Sequence, residues 1–115
     1  MYQLSYTEAV EESSLECRDR ERRALDRSIS LLEAAEGAGR GSPAAMEALS
    51  FLRRLWKALI EDLADSENDL PDVLRGDLIS VGIWMLRETD AVEDGRSDGF
   101  RNLIEITAMI RDGLK

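Results

Sequence analysis

The sequence predicts an all-α fold: a single-domain antiparallel bundle of about four helices, near residues 6–36, 43–64, 71–93 and 98–114. Apolar residues recur at three- and four-residue spacing in four stretches, and the period-two alternation of a strand is nearly absent. Clusters of glycine, serine, proline and aspartate separate the stretches by short joints, which favours antiparallel neighbours.

The first helix is announced by Ser5-Tyr6-Thr7-Glu8, a capping box in which serine accepts the amide three residues on and glutamate reaches back. Its stripe reads Val10, Ser14, Cys17, Glu21, Ala24, Ser28, Leu31 and Ala35. The charged run RDRERR (18–23) thins that stripe, so the first half is expected to project from the bundle or fray. GAGRG (37–41) breaks the helix, since glycine adopts positive φ cheaply. Ser42 as N-cap and Pro43 in the first turn start the second, whose stripe is Leu49, Leu52, Trp56, Leu59, Ile60 and Leu63. DSENDLP (65–71) is the next turn, and Pro71 opens the third helix. Within it, DLISVGIWMLRE (77–88) is apolar nearly all round, as in a buried helix or one that meets a partner. Leu74, Leu78, Val81 and Met85 are assigned to sibling helices, and Gly76 and Gly82 to close helix approaches. After EDGRS (93–97), Ser97 caps a last helix carrying Phe100, Leu103, Ile104, Thr107, Ile110 and Leu114.

Composition excludes several functions. A chain of 115 residues, 43% of them hydrophobic, can bury one modest core. Its net charge of −9 repels nucleic acid and anionic lipid, and no apolar run is long enough to insert into a membrane. The opening MYQLSYTEAVEESS has no basic n-region or apolar h-region, so no signal peptide is expected. The single cysteine, Cys17, suits a reducing cytoplasm. Histidine is absent, and with it the commonest general base and metal ligand. The chain is therefore expected not to be an enzyme.

Residues 94–105 have a spacing close to the EF-hand pattern. Asp94, Asp98, Gly99, Asn102 and Glu105 match its offsets, but Arg96 would carry a positive charge to the ion and Arg101 replaces the apolar anchor. A helix–turn–helix joint fits better, and no metal or cofactor is expected. Arg53, Arg54, Trp56 and Lys57 resemble a base-stacking cluster, yet Trp56 lies on the apolar stripe while Arg54 and Lys57 point away. Glu61, Asp62 and Asp65 read as a solvated face without a nucleophile beside them. Phe51 and Leu55 lie off their helix's main stripe and, with Ile79, Ile83 and Trp84, are the candidate partner-binding residues.

The stretches MYQLSYTEAVEES, RERRALDRSISLLEAAE, LRRLWKALIEDLADSENDLPDVLRGDLISVGIW and GRSDGFRNLIEITAMIRDGLK resemble FlaF, a bacterial flagellar biosynthesis regulator family. The most specific part lies around Arg54-Leu55-Trp56, Asp62-Leu63, Leu70-Pro71 and Asp77-Leu78-Ile79-Ser80. The resemblance implies a cytoplasmic protein needed for flagellin production and export, acting with a second regulator, FlbT. It also implies direct binding of flagellin as a secretion chaperone, with Ile79, Ile83 or Trp84 lining a groove for an amphipathic helix. The other function class is regulation of flagellin synthesis at the message, directly or through FlbT. Direct RNA contact is disfavoured, because only residues 95–115 carry more bases than acids.

Overall fold

A computed structural model describes residues 6–97 and 99–113, with side chains described from Arg18 onward. Four helices follow one another: α1 (Tyr6–Ala38), α2 (Pro43–Ala64), α3 (Asp72–Glu93) and α4 (Phe100–Gly113). No strand occurs among the described residues. The Ser5 cap, the first half of the α1 stripe, Asp98 and Leu114 lie outside what is described.

The helix boundaries follow local chemistry. α1 runs on to Ala38, and Gly39 (φ 96°) and Gly41 (φ 84°) turn the chain. Ser42 Oγ accepts the Ala45 amide at 3.1 Å, with Pro43 in the first turn. At the other end of α2, Arg75 donates to the carbonyls of Leu63 (3.2 Å) and Asp65 (2.9 Å), and Asn68 Nδ2 donates to that of Asp62 (3.1 Å). Carbonyls that a helix end leaves without intrahelical partners are thereby satisfied. Ser97 does not cap α4 directly, because the helix begins at Phe100 and the Gly99 carbonyl accepts the Leu103 amide (2.9 Å). Instead Ser97 Oγ accepts the Gly99 amide (3.1 Å) and donates to Glu88 Oε1 (2.5 Å), tying the turn back to α3.

The helices are ordered α3–α2–α1–α4. α1 packs on both α2 and α4, α2 on both α1 and α3, and α3 meets α4 far more sparsely. Cross-bundle ion pairs fix the antiparallel registers: Arg53 with Asp90 (2.9 Å) and Glu93 (2.5 Å), Arg101 with Glu36 (2.7 Å), and Arg111 with Asp26 (2.9 Å). The core gathers Ile29, Leu32, Ala35, Leu49, Leu52, Trp56, Met85, Val92, Phe100, Leu103 and Ile104. Thr89 and Thr107 are fully buried, and each hydroxyl donates to the carbonyl four residues back, on Met85 (2.7 Å) and Leu103 (2.6 Å). Both polar groups therefore enter the core satisfied.

Three further sequence assignments need correction. The α1 stripe is wider than expected: Ser28 and Ala35 are buried as assigned, Leu25, Ile29 and Leu32 are buried beside them, and Ala24 and Leu31 are half-buried. A helix flanked by two neighbours buries a wider arc than one three-four stripe. Leu74 is 43% exposed rather than packed on a sibling, since it stands in the first turn of α3 near its free end. Gly76 has no atom within 4 Å of where a Cβ would sit, so no helix approaches it.

Gly82 does mark a close approach. A Cβ there would stand 2.7 Å from Trp56 Cε3 and 2.9 Å from Ile60 Cδ1. The contrast between the two glycines is measurable. Gly82→Leu should wedge α3 off α2 and lower stability by about 1–3 kcal/mol, the usual cost of overpacking. Gly76→Ala should add up to about 1 kcal/mol through helix propensity. Urea unfolding followed by circular dichroism reads both, and a neutral Gly82→Leu would mean that the α2–α3 contact is looser than described.

Candidate protein-docking surfaces

The sequence candidates fall on two separate faces. At 100° per residue, Phe51 lies 180° around α2 from Ile60, which meets α3. Phe51 and Leu55, one turn apart, therefore line the flank of α2 that faces α1. Both are half-buried, and the Arg54 guanidinium stands 6.0 Å from the Phe51 ring centre. On α1, Asp26 and Glu36 pair with α4, and Leu31 lies on the opposite side of the helix. The four-residue joint Gly39–Ser42 brings half-buried Leu31 level with Phe51 across the outer α1–α2 seam. Half-buried Ala24 and exposed Ala34 and Ala58 extend this apolar seam. Leu31 is partly buried and also packs against the core; its place at this seam was not legible, because the sequence does not show which side of α1 faces which neighbour.

Ile79, Ile83 and Trp84 belong to α3. Gly82, Met85, Thr89 and Val92 make its buried line, Ile79 is half-buried on the flank, and Ile83 and Trp84 are each 42% exposed. The all-round apolar stretch is thus not the buried centre of the bundle. It is an edge helix, held by α2 on one side. α4 meets α3 only sparsely, because it packs on α1. Val73 is 77% exposed on the same helix.

The remaining candidates resolve into structure. Trp56 is 1% exposed and belongs to the core, while Arg54 and Lys57 are exposed. Asp65 Oδ1 accepts the Glu67 amide (2.9 Å) and Asp62 Oδ2 accepts from Asn68 (3.3 Å), so two of the clustered acids organise the α2–α3 turn. In the 94–105 segment Arg96 pairs with Asp94 (3.0 Å), and Asn102 and Glu105 are exposed on α4 rather than gathered around an ion. No group of acids, cysteines or histidines suited to a metal occurs among the described residues. No helix among them is long and apolar enough to cross a membrane.

One strained charge stands at the turn end of the bundle. Glu21 is half-buried, and burial pushes its carboxyl above the ordinary value of 4.5, helped by the negative Asp62; Arg18 opposes the shift and itself pairs with Asp69 (3.6 Å). A carboxyl whose pKa is raised on folding holds its proton more tightly in the folded chain. It therefore favours the fold as pH drops through the window above 4.5, and disfavours it at neutral pH. Glu21→Gln should raise the urea midpoint at pH 7, and the gain should fade as pH falls to about 4.5. A midpoint lowered at pH 7 would show that Glu21 is held by a favourable partner instead.

The family model described as flagellar protein FlaF matches residues 2–114 of the chain. No curated protein and no solved structure matches the chain.

Proposed function

The chain belongs to the FlaF family of flagellar proteins, and on that premise we propose that it is a flagellin-binding export chaperone of the cytoplasm. The family match over nearly the whole chain carries the reading. The end regions of flagellin are amphipathic and associate prematurely when free; an apolar seam on a helical bundle masks such a segment by helix-in-groove packing. The seam of Leu31, Phe51 and Leu55 is the docking site in this reading. Its apolar side chains stand on two neighbouring helices, and the Arg54 guanidinium beside Phe51 suits an acidic residue flanking the docked helix.

Regulation of flagellin synthesis then follows through partners, FlbT among them, rather than through RNA contact. Nucleic-acid affinity needs clustered cations, and 24 acids against 15 bases leave no basic stripe.

Co-purification tests both points. The complex with flagellin should survive RNase treatment, weaken when the terminal helical regions of flagellin are removed, and lose about tenfold or more in affinity in Phe51→Glu, with the helical spectrum retained. Equal binding of full-length and truncated flagellin would overturn the masking mechanism. Loss of the complex on RNase treatment would favour action on message.

A further inference from the structure

We propose that α3 is a self-association surface: its outward face fits a second copy of this chain, packed antiparallel about a two-fold axis that passes between Ser80 and Trp84.

The face is defined by the packing of α3. Gly82, Met85, Thr89 and Val92 point to the core, and the opposite side carries Val73, Asp77, Ser80, Trp84, Arg87 and Ala91. These positions are spaced four, three, four, three and four residues apart, the alternation that keeps one helix seam against another. Val73, Asp77, Ser80, Trp84 and Arg87 are exposed and Ala91 is half-buried.

Laid antiparallel on its own copy, the seam is complementary pair by pair. Val73 meets Ala91, Asp77 meets Arg87, and the small Ser80 meets the large Trp84. Two-fold symmetry makes each pair occur twice, as an isologous interface requires. Size alternates correctly at the centre, and opposite charges meet on either side of it. A parallel pairing would set Asp77 against Asp77 and Arg87 against Arg87, so charge selects the antiparallel arrangement. Asp77 and Arg87 have no ion-pair or hydrogen-bond partner within the chain among the described residues, although ten ion pairs are formed elsewhere. Ile83, 42% exposed, flanks the seam beside the axis, where it would meet its own copy and lose its exposed area. The surface is smaller than the roughly 20–30 residues a side of a standard interface, so the association is a reversible monomer–dimer equilibrium.

The inference stands apart from flagellin binding, which uses the α1–α2 seam on another face. Sedimentation equilibrium of the full chain over a concentration series tests it. The wild type should pass from monomer to dimer. Asp77→Arg and Arg87→Asp, both at exposed positions, should each weaken the dimer about tenfold, since two symmetry-related pairs turn repulsive at once. The double variant Asp77→Arg with Arg87→Asp should restore it. A wild type that stays monomeric to about 1 mM, the affinity of a negligible contact, would overturn the proposal. So would a dimer indifferent to both single variants, or a double variant no tighter than either. A monomer whose Trp84→Ala variant loses flagellin would assign the face to flagellin instead.

Discussion

The seating of Trp56 against Gly82 sets the geometry of this protein. Trp56 is the largest fully buried side chain, and α3 can lie against it only because Gly82 presents no side chain. That close approach fixes both the distance and the rotation of α3. Once Gly82 faces α2, the helical period places Met85, Thr89 and Val92 in the core and turns Trp84 by about 200° to the far side. The exposure of a large aromatic on one face is the direct consequence of a missing side chain on the other. Arg53, held by Asp90 and Glu93, secures the same rotation from the rim, and these carboxylates raise its already high pKa further.

The helix order explains why apolar surface remains. α1 and α2 form the central pair, and each carries a second neighbour on a different flank, α4 and α3. The joints are short, so α3 and α4 converge where the turn lies: Ser97 bonds Glu88, and the Arg40 guanidinium lies over Gly95, whose φ of 80° suits only glycine. Away from that end α4 lies against α1 rather than α3. As an edge helix in this order, α3 keeps its outer side uncovered, and the sequence leaves that side part apolar.

Fold and helix limits were legible because each boundary has its own local chemistry: Gly39 and Gly41, Ser42 with Pro43, Pro71, and Gly95. The α2 stripe was read correctly because its large apolar residues Leu49, Leu52, Trp56 and Leu63 all stand on it, at three-, four- and seven-residue spacing, and all are buried. The full width of the buried face of α1 was not legible, since Leu25, Ile29 and Leu32 are buried beside the expected Ser28 and Ala35, and sequence spacing does not say where one neighbour ends and the next begins. For the same reason Phe51 and Leu55 could be named as off-stripe residues, while the flank of α2 on which they lie could not. Gly76 and Gly82 look alike in sequence. Only the level at which α3 crosses Trp56 distinguishes a notch from an ordinary exposed glycine.

The contrast between Trp56 and Trp84 has an optical consequence. The chain has two tryptophans, one 1% and the other 42% exposed. An indole sealed in a dry core emits at shorter wavelength than one in contact with water, and a dissolved quencher reaches only the second. The protein thus contains two native chromophores in separate surroundings, one reporting the integrity of the interior and the other whatever comes to rest on α3.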